Sequence, residues 1–160
     1  MPARRVRLVL MCGPAGSGKS AYARRLEADG YVRLAVDELA REAGFRQPHP
    51  LPDDVARRLE AALRSRLERL LDAGHDVVVD SSFWSRARRD EYRAIGAAHG
   101  VETEVVFVDV PRDVALARVA ARRGAGPHDV RLAPEVAAAY YDGFEVPTPE
   151  EGPLRVVPGI

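Results

Sequence analysis

Between residues 6 and 22 the chain reads "VRLVLMCGPAGSGKSAY", an apolar run followed by Gly13, Gly16 and Gly18 and then by a lysine and a serine. A glycine-rich curl of this kind demands that a strand end where a helix begins. The apolar run is continuous rather than alternating, as expected of a strand covered on both faces. Similar runs recur at 31–36, 76–80 and 103–110, with a weaker one, "LRVV", at 154–157. Helical patterns lie between them. In "PDDVARRLEAALRSRLERLLDAG", Val55, Leu59, Leu63, Leu67 and Leu70 or Leu71 form one stripe, with acids in the first turn and Gly74 beyond the end. A second helix spans about Ser85 to His99, with Ser85 as its N-cap and Gly100 as its stop. Strand alternating with helix predicts a three-layer α/β fold around a parallel sheet, and functional groups then gather at the carboxyl ends of the strands. The 160 residues, 46% of them hydrophobic, suffice for one core, so one domain over 1–160 is expected.

The segment Gly13-Pro14-Ala15-Gly16-Ser17-Gly18-Lys19-Ser20 fits G-x-x-x-x-G-K-[ST], the Walker A pattern. Its glycines let successive backbone N–H groups converge on one anion, and the following helix adds its positive end. Lys19 would reach the β- and γ-phosphates of a nucleotide and Ser20 would ligate Mg²⁺. A competing reading uses the same letters. Gly16-Ser17-Gly18-Lys19-Ser20-Ala21 also fits G-x-G-x-x-[GA], and Asp37 follows the second strand as in a dinucleotide fold. That reading leaves Gly13 and the Lys-Ser pair without a role.

The third strand ends in "VVVDSS", which places Asp80 across from Ser20, where it could accept a hydrogen bond from a magnesium water. No glutamate follows Asp80, which disfavours an ATP-driven motor, and the chain has neither D-x-x-G at this point nor N-K-x-D anywhere, which disfavours a GTPase. Transfer of a γ-phosphoryl group to a hydroxyl other than water's remains. Asp37 in "LAVDELARE" is the candidate to accept the hydroxyl proton, although an aspartate there could also cap a helix starting at Glu38. Arg118, Arg122, Arg123 and Arg131 surround a glycine- and proline-bearing stretch at 121–134, the expected lid, and could meet charge in the transition state. Equal numbers of basic and acidic residues, 24 each, argue against a global field for nucleic acid or an anionic membrane. The lone Cys12 excludes an intrachain disulfide, and no apolar run approaches membrane-spanning length, so a cytoplasmic location is expected.

"GPAGSGKS", "VDELARE", "VVVDSSFWSRARRDEYRAIGAAHG" and "VFVDVPRDVALARVAARRG" together resemble the small P-loop kinases that include the kinase domain of polynucleotide kinase, zeta toxins and chloramphenicol phosphotransferase. The resemblance covers most of the chain and implies a five-stranded parallel sheet in the order 2-3-1-4-5 with Mg-ATP as donor. It also implies Asp37 as general base, Asp80 beside the metal, Arg123 as the lid arginine and 142–152 as a post-lid segment. Ser81-Ser82-Phe83-Trp84 departs from the Thr-Asn pair of polynucleotide kinase, so the acceptor can differ.

The expected site is therefore Gly13, Ala15, Gly16, Ser17, Gly18, Lys19, Ser20 and Ala21 with Arg118 around the nucleotide, and Ser20 with Asp80 at the metal. Lys19, Asp37, Arg122 and Arg123 would serve catalysis. Asp37, Arg41, Ser82, Phe83 and Trp84 would meet the acceptor, where either ring could stack on a flat or apolar compound or simply close the core. His49 and His128, in loops, are read as solvated. Three functions fit: a kinase for a small-molecule hydroxyl such as that of a nucleoside, sugar or antibiotic; a 5′-hydroxyl polynucleotide kinase, whose basic channel would be Arg86, Arg88, Arg89 and Arg93; or a nucleotide-binding switch without transfer activity.

Overall fold

Five strands run parallel in the order β2-β3-β1-β4-β5, as the resemblance implies. They are β1 (Arg7–Cys12), β2 (Val32–Ala35), β3 (Val77–Asp80), β4 (Glu102–Asp109) and β5 (Leu154–Pro158). A computed structural model describes residues 4–44, 52–122 and 133–159. The central strand β1 pairs Leu8 with Val77 on one side and Thr103 on the other, so it is flanked on both edges. Its neighbours β3 and β4 are nearly as enclosed, which accounts for their unbroken apolar runs.

Alternate residues of these strands feed two separate cores. Leu8, Leu10, Val77, Val79, Val105 and Phe107 face one side, and Val9, Met11, Val78, Val106 and Val108 face the other. The first side is covered by α3 (Asp53–Asp72), whose Val55, Leu59, Leu63, Leu67 and Leu71 are all buried. Spacing by four keeps those side chains on one face, and Leu71, rather than the less buried Leu70, completes the stripe. Beside it lies α4 (Arg86–Ala98), capped by Ser85, whose Oγ accepts from the Arg88 amide at 3.2 Å. The second side is covered by α1 (Lys19–Ala28) through Ala23 and Leu26.

The remaining described helices are α2 (Val36–Glu42), α5 (Arg112–Ala120) and α6 (Pro134–Asp142), with a 3₁₀ turn at Pro149–Glu151. Because α2 starts at Val36 straight from β2, its cap is Ala35 and Asp37 falls inside the first turn. Asp37 is therefore not the helix cap. All four strand ends that matter for chemistry, Cys12, Ala35, Asp80 and Asp109, lie along one edge of the sheet. Among the described residues no helix is long and apolar enough to cross a membrane. Most of the segment expected to form a lid, 121–134, with Arg123, Arg131 and His128, lies outside the described residues, as does His49.

Candidate active site

The loop between β1 and α1 is shaped by its backbone. The Gly13 amide donates to the Ser82 carbonyl at 3.0 Å, and the Ser17 amide to the Pro14 carbonyl at 3.1 Å. Gly16 sits at φ +83, and a Cβ there would lie 2.3 Å from the Ala115 carbonyl oxygen, so α5 presses on the loop where only glycine fits. Arg118 of α5 donates to the Gly16 carbonyl at 3.1 Å. The bond ties α5 to the loop backbone. Gly18, at φ +91, caps α1, and no side chain among the described residues caps the first-turn amides at the helix's positive end. The buried Ser17 Oγ also finds no partner among the described residues.

A cavity of about 500 Å³ opens beside this loop. Pro14, Ala15, Lys19 and Ser20 form its first wall, and Ala35 to Asp37 with Asp80 to Ser82 form its floor over the ends of β2 and β3. Arg122 enters just past α5, and Trp84, Ala139, Tyr140, Gly143 and Phe144 make an apolar far wall. Of the residues expected from sequence, Ala15, Lys19, Ser20, Asp37, Asp80, Ser82, Trp84 and Arg122 share this one space. Gly13, Gly16, Ser17 and Gly18 form the loop behind it. Ala21 and Arg41 are exposed on α1 and α2 and do not line the cavity.

Asp80 has a partner that the sequence reading did not anticipate. Arg33, in β2, donates from Nη1 to Asp80 Oδ2 at 3.1 Å and also pairs with Glu38 and, at 3.8 Å, with Glu27. The Arg33 and Asp80 side chains are only 6% and 3% exposed, so the aspartate carries an internal counter-charge. An arginine inside the otherwise apolar run "YVRLAV" was the available signal. Ser81 is likewise held, accepting from Arg88 Nη1 at 2.8 Å, while Arg88 Nη2 donates to Glu60 at 2.9 Å and lies over the Phe83 ring. Burial alone would raise the Glu60 pKa, but hydrogen bonds from Arg88 and Tyr92 and the Arg88 charge keep its carboxyl below the ordinary value.

Phe83, expected at the acceptor, does not line the cavity. It is fully buried, edge-on to Tyr92 at a centroid distance of 4.9 Å. Its backbone sits at φ +47, a left-handed conformation unusual for a bulky residue. The Phe83 carbonyl is secured there by Arg89 Nη1 at 2.8 Å and Cys12 Sγ at 3.5 Å. The turn sends Phe83 inward and Trp84 outward, where Trp84 is 51% exposed on the cavity wall. The Trp84 carbonyl in turn accepts from the Glu145 amide at 2.9 Å, beyond α6. Burial pushes the Cys12 thiol up to about 12, so it stays neutral and structural.

The arginines of α4 do not form an open basic channel. Arg86 pairs with Asp90, Arg88 with Glu60, and both Arg89 and Arg93 with Glu151. The carboxylates that neutralise them come mostly from α3 and the 3₁₀ turn, far away in sequence.

Over residues 8–147 the chain matches the family model described as an AAA domain. No curated protein matches it. Among solved structures, a chain of the Pnkp1/Rnl/Hen1 RNA repair complex is 18% identical with a TM-score of 0.75; the match covers 88% of this chain and 44% of that one. The chain thus spans less than half the length of that relative. A gluconokinase from Sinorhizobium meliloti is 22% identical with a TM-score of 0.66, covering 98% of this chain and 85% of its own. Chaetomium thermophilum Kti12, solved with ADP-AlF3, is 18% identical with a TM-score of 0.71, covering 94% and 88%. At these identities the structural matches speak for the fold alone. With the family match spanning most of its length and the sheet order 2-3-1-4-5 beneath a G-x-x-x-x-G-K-S loop, the chain belongs to the AAA-domain family and has an α/β P-loop fold.

Proposed function

We propose that this protein transfers the γ-phosphoryl group of Mg-ATP to a hydroxyl of a small molecule. The observation that carries the reading is that Lys19, Ser20, Asp37 and Asp80 line one cavity together with Trp84, Tyr140 and Phe144. The loop suits a nucleotide's phosphates because the first-turn amides at the positive end of α1 have no side-chain cap among the described residues. The Ser20 hydroxyl and Asp80 carboxylate, hard oxygen donors on the same cavity, fit magnesium, which commonly takes few protein ligands beside substrate phosphates. When bound, the ion would neutralise charge on the bridging phosphate oxygens.

Lys19 would bind the β- and γ-phosphates, and Arg122 would meet charge developing on the transferred group. Asp37 would accept the acceptor's hydroxyl proton as the new P–O bond forms and the bond to ADP breaks. Arg123, by its position beside Arg122, is the proposed lid arginine. Residues 1–160 are read as one kinase domain, and the buried Cys12 suits a reducing cytoplasm. The neutralised arginines of α4 weigh against a polynucleotide acceptor.

The test is label transfer from γ-labelled ATP to a panel of nucleosides, sugars, hydroxylated antibiotics and a 5′-hydroxyl oligonucleotide, comparing the wild type with Asp37→Asn. Transfer to one small acceptor, reduced about 10²–10⁴-fold in the variant with ADP affinity kept, is expected. ATP binding without transfer to any acceptor would favour the switch. Equal loss of binding and transfer would make Asp37 structural.

A further inference from the structure

Acceptor chemistry is written on the far wall of the cavity. Trp84 and Tyr140 present half-exposed rings, 51% and 46%, on two segments that the Trp84 carbonyl ties together through the Glu145 amide. Phe144 completes the wall and is anchored against Phe107 at a centroid distance of 6.0 Å. Tyr141, the neighbour of Tyr140, donates its hydroxyl to the Val110 carbonyl at 2.8 Å, which fixes α6 against the sheet end. A ring wall built this way is preorganised rather than a chance pair of exposed side chains. The left-handed backbone at Phe83 adds to this, because a costly conformation at a bulky residue persists only where surrounding contacts enforce it, and its outcome is the outward Trp84.

Resting on the kinase reading, we propose that the acceptor is an alcohol bearing one flat, unsaturated ring system, which packs against Trp84 and Tyr140 while its hydroxyl reaches Asp37. A nucleoside and an aryl alcohol share this chemistry, whereas a free sugar or sugar acid does not. The cavity of about 500 Å³ accommodates one such ring system beside the donor phosphates.

Trp84 is the sole tryptophan of the chain, so its fluorescence reports on this wall directly. The full chain, saturated with Mg-ADP to close the donor site to nucleosides, is titrated with adenosine, uridine, 2-phenylethanol, glucose, gluconate and a 5′-hydroxyl oligonucleotide. Excitation is at the red edge of tryptophan absorption. A saturable change with a nucleoside or the aryl alcohol, and none with glucose or gluconate, is expected. The Tyr140→Leu variant keeps the reporter and should bind the same compound about 10- to 100-fold more weakly. By calorimetry Trp84→Leu should show a similar loss with an unchanged urea midpoint, since the ring is half in water. Saturation by glucose or gluconate, tighter binding of the oligonucleotide with a steep salt dependence, or silence from every ring compound would each overturn the inference. Ring binding without phosphoryl transfer would spare it and remove the kinase reading, while transfer to gluconate alone would do the opposite.

Discussion

Replacing Glu151 by glutamine should unfold this protein at markedly lower temperature, although the residue does not line the cavity. Glu151 accepts from Arg89 Nε at 2.7 Å and Nη2 at 3.2 Å, and from Arg93 Nη1 at 2.9 Å. The Arg89 and Glu151 side chains are each 1% exposed. Glutamine keeps the shape but leaves the Arg89 guanidinium buried without a counter-charge, a change that costs about 3–5 kcal/mol. For a chain of this size each kcal/mol lowers Tm by about 2–4 °C, so a drop of about 6–20 °C is expected. Urea denaturation and a thermal scan, run together, give both figures. The pH dependence supplies a second check. Burial would raise the Glu151 pKa, but the Arg89 and Arg93 hydrogen bonds outweigh it and hold the carboxyl below its ordinary value. The stabilisation is then fully present above the unfolded-state value of about 4.3 and is lost as pH falls through the lowered folded one. The variant should lack that part of the acid limb. A loss under about 1 kcal/mol, or an unchanged acid limb, would refute the claim that this pair is desolvated and mutually dependent.

Gly16→Ala should reduce ADP affinity at least about 10-fold, because φ +83 and a Cβ 2.3 Å from the Ala115 carbonyl leave the loop no way to keep its curl; unchanged affinity by calorimetry would mean that the loop adapts. His99 should titrate above its ordinary value, since its ring hydrogen-bonds Asp72 at 2.7 Å and Glu68 at 3.3 Å. Its contribution to stability is present below about 6.5 and fades as pH rises through the raised value. An NMR midpoint at or below the ordinary imidazole value would refute this, and His99→Gln should flatten stability over that window.

Features that depend on local pattern were legible in the sequence: the four strong strands, the α3 stripe, the Ser85 cap and the glycine loop all follow from spacing and residue type. What escaped depends on partners distant in the chain. Nothing in "FW" tells which ring turns inward; that is decided by the left-handed backbone at Phe83 and by Arg89 on its carbonyl. The arginines of α4 read as a possible basic face because their partners Glu60 and Glu151 lie on other elements. Asp80 was placed correctly at the end of β3, yet Arg33 could be matched to it only once Ala35 and Asp80 were seen in register across β2 and β3.

The carbonyls of Ser82, Phe83 and Trp84 point to three different parts of the molecule: the Gly13 amide, the Arg89–Cys12 pair and the Glu145 amide. Because main-chain atoms make these ties, the segment tolerates exchange of side chains far better than a change in length. Inserting or removing one residue would shift the phosphate loop and the ring wall together. Swapping the side chain at 84 alters only the wall. Point substitution at 84 can therefore reshape the ring wall while leaving the glycine-rich loop untouched.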